Sequence, residues 1–94
     1  MPISNLINVL LVEDDLQVSQ LIADMLLAIK NVKFHSESVD SLGLALERLK
    51  KGNIAVILLD LSLPDSNGIN TFLNLYTQFP DVPIVVLTLS LIHI

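Results

Sequence analysis

The chain is short, apolar and acidic, and its 94 residues suffice for one domain with a single modest core. Hydrophobic residues make up 52% of the sequence, which excludes intrinsic disorder, and the absence of cysteine excludes disulfides, thiolate metal sites and cysteine nucleophiles. Ten acidic residues against five basic ones give a net charge of −5 at pH 7, which disfavours direct binding to nucleic acid.

Four short apolar segments predict β-strands. Residues 7–12 (INVLLV), 54–59 (IAVILL) and 84–89 (IVVLTL) have the composition of strands that are buried on both faces of a parallel sheet. Residues 32–38 (VKFHSES) alternate Val, Phe and Ser with Lys, His and Glu, which predicts a half-exposed strand at the sheet edge. No apolar run reaches the ~20 residues of a membrane-spanning helix, and no signal-peptide pattern opens the chain, so we expect a cytoplasmic protein with no membrane partner.

Three segments between the strands predict helices, because their apolar residues recur every three or four positions. The predicted buried faces are Val18, Leu21, Ile22 and Met25 in residues 16–28, Leu42, Ala45, Leu46 and Leu49 in residues 42–51, and Ile69, Phe72, Leu73 and Tyr76 in residues 69–78. We expect Asp15 to cap the first helix and Asp40 or Ser41 to cap the second. Gly52 should end the second helix and Pro80 the third. The order β-α-β-α-β-α-β predicts an α/β fold with a parallel sheet and right-handed crossovers.

Acidic side chains follow two of the buried strands at the point where each strand ends. Glu13, Asp14 and Asp15 come after the first strand, and Asp60 comes directly after the third. Ligands of open α/β sheets bind beyond the carboxyl ends of the strands, so Glu13, Asp14 and Asp60 should converge if these two strands are neighbours. Carboxylates at such short distances repel one another, and no Lys or Arg lies near this end of the sheet in sequence. A bound Mg²⁺ ion is the simplest resolution.

A metal-bound carboxylate cluster of this kind suits phosphoryl transfer. Asp60 is the candidate nucleophile, because carboxylates form aspartyl-phosphate. Glu13 and Asp14 would bind the metal with Asp60, and the backbone carbonyl of Ser62 could add another ligand. The hydroxyl of Thr88 could bond a phosphoryl oxygen. The residues alone leave an alternative open, since an acidic run after a strand is often a solvated loop that caps the next helix, and residues 63–68 have the composition of an ordinary turn.

Three segments, taken together, resemble the receiver domain of bacterial two-component response regulators. They are residues 9–15 (VLLVEDD), residues 56–68 (VILLDLSLPDSNG) and residues 83–88 (PIVVLT), and they occur in the order of the family. The resemblance covers residue 7 to about residue 90. It implies a flavodoxin-like fold of three α/β/α layers, with the four strands present in the order 2-1-3-4.

The resemblance also implies specific roles for residues of this chain. Asp60 matches the phospho-acceptor, which takes a phosphoryl group from a histidine kinase or phosphotransfer protein. Glu13 and Asp14 match the acidic pair that binds Mg²⁺, and Thr88 matches the switch hydroxyl. A receiver domain is a switch and not an enzyme in its own right, so we expect no independent enzymatic activity.

The sequence departs from the receiver pattern after the fourth strand. The family continues with a helix, a fifth strand that carries a lysine and an aromatic switch residue, and a final helix. We therefore expect a receiver domain over residues 1–94 that is incomplete at its C-terminus, with residues 90–94 as a candidate non-native tail. An exposed apolar fourth strand should favour self-association. The resemblance also implies an output domain in a longer protein.

Three alternatives to this interpretation stay open: a fragment with no independent function, and two other functions. One of these functions is that of a receiver-like interaction fragment that takes no phosphate. The other is a metal-dependent phosphohydrolase of similar topology, in which a second Asp typically follows the nucleophile by two positions. That position is Ser62 in this chain, which argues against the phosphohydrolase.

Overall fold

The computed structural model describes residues 6–63 and 65–87, in which strands and helices alternate. The elements are β1 (Leu6–Val12), α1 (Leu16–Leu27), β2 (Lys33–Val39), α2 (Leu42–Lys50), β3 (Val56–Asp60), α3 (Gly68–Gln78) and β4 (Ile84–Leu87). All strand pairs are parallel and the strand order is β2-β1-β3-β4. The predicted α/β fold, its element order and its strand order 2-1-3-4 are therefore confirmed.

The strand order also decides which face each helix covers. The crossover from β1 to β2 runs toward one edge of the sheet, whereas the crossovers to β3 and β4 run toward the other edge. Right-handed crossovers therefore place α1 on one face and α2 and α3 on the opposite face. No helix within the described ranges is long and apolar enough to cross a membrane.

The main core lies between the sheet and helices α2 and α3. Side chains alternate between the two faces of a strand, so every second residue of β1 and β3 enters this core. Its buried members are Leu10, Val12, Leu42, Ala45, Leu49, Ile57, Leu59, Leu63 and Leu75. The intervening residues Val9 and Leu11 are each only 1% exposed, so β1 is buried on both faces, as its composition predicts.

Helix α2 forms as the sequence predicts and is attached to the edge strand β2. Of the two predicted caps, Ser41 is the N-cap, and its Oγ accepts a hydrogen bond from the backbone N–H of Leu44 at 3.2 Å. Gly52 follows the helix with a φ of +82°, a conformation that glycine adopts without strain. The Arg48 guanidinium donates to both carboxylate oxygens of Glu37 on β2, at 2.8 Å from Nε and 2.9 Å from Nη2.

The buried face of α1 agrees only in part with the predicted one. Ile22 is buried and Val18 half-buried, as predicted, but Leu21 and Met25 are 55% and 61% exposed, and Ser19 is buried. Ser19 can be buried because its hydroxyl donates to the backbone carbonyl of Leu16 at 3.1 Å. A helix with apolar residues on two neighbouring faces satisfies the 3.6-residue period in more than one orientation, and the apolar count favoured the wrong one.

The same error affects α3. The predicted set contains three exposed residues, which are Ile69, Leu73 and Tyr76, and one half-buried residue, Phe72. The side chains that face the sheet are Thr71 and Leu75, both fully buried. The hydroxyl of Thr71 donates to the Ser66 hydroxyl at 2.7 Å, and this bond satisfies a polar group that the apolar pattern had excluded from the core.

Candidate metal centre

The carboxyl ends of β1 and β3 bring three acidic side chains together. These strands are hydrogen-bonded neighbours in which Val12 pairs with Leu59, so Glu13 and Asp60, the next residue in each case, lie side by side. Carboxylate oxygens of Glu13, Asp14 and Asp60 all lie within 4.8 Å of one another. The predicted convergence of these three carboxylates is thus present in the structure.

The three carboxylates line an open cavity of about 370 Å³. Its lining consists of Glu13, Asp14, Asp15, Val18, Asp60, Ser62 and Leu87. None of these lining residues is basic, and none is a histidine or cysteine. The donor set is therefore made of oxygen atoms, which fits a hard divalent cation such as Mg²⁺ and disfavours zinc.

Glu13 is held in a fixed position between β1 and α1. Its backbone N–H donates to the carbonyl of Val39 at 2.9 Å, which extends the ladder between β1 and β2 by one residue. Its Oε2 accepts a hydrogen bond from the backbone N–H of Asp15 at 3.1 Å, and its exposure is only 6%. The side chain therefore lies under the start of α1, with little contact with water.

Asp15 has a different role from its two acidic neighbours. Its Oδ1 accepts hydrogen bonds from the backbone N–H groups of Gln17 at 2.9 Å and Val18 at 3.2 Å. These contacts are those of an N-cap, as predicted for this residue. Asp15 therefore starts α1 directly after the acidic pair, and the helix start in turn places an N–H against Glu13.

The environment of Glu13 favours its protonated form. The pKa of Glu13 is raised from an ordinary 4.5 to about 7, chiefly by burial. A hydrogen bond with Asp60 and the negative charges of Asp60 and Asp14 contribute to this rise, whereas the hydrogen bond from Asp15 opposes it. A divalent cation among the three groups would favour the ionised form, so metal binding would release a proton near neutral pH.

Asp60 ends β3 and is coupled to the loop that follows. The side chain is 9% exposed, and its Oδ1 accepts a hydrogen bond from the backbone N–H of Ser62 at 3.0 Å. The loop closes where the N–H of Gly68 donates to the carbonyl of Leu61 at 2.9 Å. Ser62 lines the cavity, and the role of its backbone carbonyl as a metal ligand stays a prediction.

Thr88, predicted as the switch hydroxyl, lies outside the described residues, as does Pro64 of the loop. The preceding residue, Leu87, pairs with Asp60 across β3 and β4 and lines the cavity. The role of Thr88 therefore stays a prediction.

Asp65 lies in the loop between β3 and α3, and no sequence pattern singled it out. Its Oδ1 accepts a hydrogen bond from the backbone N–H of Leu42 at 2.9 Å, and its Oδ2 accepts one from Gly43 at 3.1 Å. Both donors belong to the first turn of α2, 23 and 22 positions earlier in the chain. The turn-like composition of residues 63–68 carries no signal for a contact across that distance.

Comparisons with known proteins agree with this geometry. A family model for the response regulator receiver domain matches residues 9–91. The swarming motility regulation protein RssB of Serratia marcescens is 33% identical over 81 residues, which are 86% of this chain and 36% of that protein. The transcriptional regulatory protein BasR of Escherichia coli (strain K12) is 29% identical over 80 residues, which are 85% of this chain and 35% of that protein. This chain thus spans about a third of the length of these curated relatives.

Solved structures show the same fold. The MaeR response regulator bound to beryllium trifluoride has a TM-score of 0.78 and 29% identity, over 88% of this chain and 67% of that one. The phosphorylated cyanobacterial phytochrome response regulator RcpA has a TM-score of 0.76 and 26% identity, over 92% of this chain and 67% of that one. On the family match, the strand order and the acidic cluster, the chain belongs to the response regulator receiver domain family.

Proposed function

We propose that this chain is a phospho-acceptor domain of two-component signalling, phosphorylated on Asp60 by a histidine kinase or phosphotransfer protein with Mg²⁺ as cofactor. The observation that carries the proposal is the cluster of Glu13, Asp14 and Asp60 at the carboxyl ends of two neighbouring strands. The family match and a similar structure that is described as phosphorylated support it.

The proposed reaction assigns one task to each residue of the cluster. A carboxylate oxygen of Asp60 attacks the phosphorus of a phosphohistidine in line, forming an O–P bond as the P–N bond breaks. The electron pair of that bond goes to the imidazole of the donor, which takes up a proton. Glu13 and Asp14 would hold Mg²⁺ with Asp60 and the carbonyl of Ser62. When bound, the cation neutralises charge on the phosphoryl oxygens.

Other parts of the proposal concern the longer protein and its partners. The hydroxyl of Thr88 would move toward the phosphoryl group and so signal the phosphorylated state. The two curated relatives are regulatory proteins, and this chain matches about a third of each. We infer an output domain beyond the receiver and a cytoplasmic location, where a kinase and a small phosphodonor are both available. We assign the domain no enzymatic activity of its own.

Mass spectrometry tests the phospho-acceptor assignment directly. The protein is incubated with acetyl phosphate and Mg²⁺, and an adduct of about 80 Da is expected for one phosphoryl group. Asp60→Asn should abolish the adduct, as should removal of Mg²⁺ with EDTA. Asp81→Asn is the matched control, because Asp81 is exposed in the loop before β4, outside the site cavity, and this variant should be phosphorylated as the wild type is.

The absence of an adduct in the wild type would contradict the proposal. It would favour a receiver-like fragment that binds another protein without taking phosphate, with self-association through β4 as its simplest form. Among the described residues β4 lies at a sheet edge, and its Val85 and Val86 are 48% and 38% exposed. Sedimentation velocity tests this alternative, which predicts a dimer whose fraction rises with protein concentration and does not change when Mg²⁺ is added.

A further inference from the structure

We propose that Asp65 is a positioning residue for the metal site: it ties the loop after Asp60 to the N-terminus of α2 and so holds Ser62 where its carbonyl can bind the cation. The inference rests on the proposed function for its link to Mg²⁺. The tether itself, between a loop of the site and a helix outside it, stands on the geometry alone.

Both oxygens of the Asp65 carboxylate are used in the tether. They accept the N–H groups of Leu42 and Gly43, the first two residues of α2, at 2.9 and 3.1 Å. The first N–H groups of a helix have no partner within the helix, and the helix dipole favours a negative charge at this end. These two hydrogen bonds hold the pKa of the Asp65 carboxyl below its ordinary value, so the ionised form that binds both donors is the stable one.

Ser41 already supplies the local cap of the same helix, which separates capping from tethering. The Ser41 hydroxyl accepts the N–H of Leu44 at 3.2 Å, and Asp65 takes the two preceding N–H groups. Ser41 is next to α2 in sequence, so its contact positions nothing else. Asp65 belongs to the loop between β3 and α3, so its contacts transmit the position of α2 to that loop.

Helix α2 is a rigid reference point for this loop. It buries Leu42, Ala45 and Leu49 in the core, and Arg48 binds Glu37 of β2 through two hydrogen bonds. The loop has a second anchor in Leu63, which is 5% exposed within the same core. Asp65 and Leu63 together restrict the segment that contains Ser62.

The restricted segment is the one that contacts the metal ligands. The N–H of Ser62 donates to Oδ1 of Asp60 at 3.0 Å, and the N–H of Gly68 donates to the carbonyl of Leu61 at 2.9 Å. If the loop were released at Asp65, Leu63 would be its remaining anchor, and Ser62 would be held less firmly in its hydrogen bond to Asp60 and at the cavity. Loss of a residue that orients metal ligands typically lowers metal affinity roughly 10–100-fold. We expect about tenfold here, because Asp65 acts on Ser62 only through the loop backbone.

Magnesium affinity in three variants tests the proposal, with isothermal titration calorimetry for Mg²⁺ and thermal unfolding for stability. Asp65→Ala should weaken Mg²⁺ binding about tenfold. Ser41→Ala, which removes a cap from the same helix end, should lower the melting temperature but leave the Mg²⁺ affinity unchanged. Asp65→Asn keeps one carbonyl oxygen as an acceptor and should give an intermediate affinity. It also provides the comparison if Asp65→Ala does not fold.

Amide hydrogen exchange provides a readout that is independent of Mg²⁺. Asp65→Ala or Asp65→Asn should speed exchange at Ser62 and Gly68, whereas Ser41→Ala should affect only the start of α2. Unchanged Mg²⁺ affinity and unchanged loop exchange in the Asp65 variants would overturn the positioning role while leaving the proposed function intact. A wild-type chain that binds no Mg²⁺ would instead overturn the proposed function, and loop exchange would then decide the tether by itself.

Discussion

Because the pKa of the buried Glu13 is raised, we expect the free energy of unfolding of the metal-free protein to fall as the pH rises from about 5 to about 8. The pKa of Glu13 is about 7 in the folded protein and 4.5 in its ordinary state. The folded state therefore binds more protons than the unfolded chain between these two values. Stability rises with pH only where the unfolded chain binds more protons, so here the free energy of unfolding must fall.

The size of the effect follows from the same two pKa values. One pH unit of difference in pKa corresponds to about 1.36 kcal/mol, so the shift from 4.5 to about 7 amounts to about 3 kcal/mol once Glu13 is fully ionised. This is a large fraction of the free energy of unfolding of a whole domain, which is typically about 5–15 kcal/mol. The pKa values of Glu37 and Asp65 are lowered, so their own contributions vanish only in more acid solution, below this window.

Urea unfolding, followed by circular dichroism in EDTA, measures this dependence across the pH window. Glu13→Gln removes the titrating group and should flatten the curve, and its stability should exceed that of the wild type at the upper end. Glu47→Gln is the charge-matched control, because Glu47 is exposed on α2, and its curve should follow the wild type. The two histidines are present in every variant, so differences between curves isolate the substituted group.

Addition of Mg²⁺ should oppose the loss of stability, because the cation favours the ionised carboxylates of the cluster. The stabilisation by Mg²⁺ should therefore be larger at the upper end of the pH window than at the lower end. Parallel curves for the wild type and Glu13→Gln in EDTA would refute the reasoning, since they would show that the folded protein does not hold a proton on Glu13.

Two further predictions concern the scaffold. Leu75→Ala should lower the free energy of unfolding by roughly 2–5 kcal/mol, because Leu75 is fully buried in the core between the sheet and α3. Urea unfolding measures this loss, and a loss no larger than that of a surface substitution would contradict the burial. Gly52→Ala should cost about 1 kcal/mol in the same assay, because the φ of +82° after α2 disfavours a side chain although the space around it is open, and an unchanged stability would count against that conformation.

Much of the fold and part of the candidate site could be predicted from local sequence. The apolar segments around Leu10 and Ile57 indicated strands buried on both faces, and the acidic residues that follow such strands indicated where a ligand would bind. The capping roles of Asp15 and Ser41 were also predictable, because a cap contacts residues only two or three positions away. In each case the physical cause acts over a few neighbouring residues.

The orientation of α1 and α3 could not be predicted in the same way. Their sequences carry apolar residues on more than one face, and a set chosen by apolar character does not include the polar residues Ser19 and Thr71. Which face is buried depends on how each helix packs against the sheet, and the hydroxyls of Ser19 and Thr71 are satisfied there by the Leu16 carbonyl and the Ser66 hydroxyl. Periodicity measures hydrophobicity along a helix and contains no information about such bonds.

The sequence by itself determined the alternation of strands and helices, the positions of Glu13, Asp14 and Asp60 at strand ends, and the family to which these motifs belong. Only the tertiary structure decided how those groups act on one another. Burial beside Asp60 raises the pKa of Glu13, and Asp65 reaches back 23 residues to the start of α2. Both effects depend on distances through space between segments that are remote along the chain, and those distances exist only once the sheet has formed.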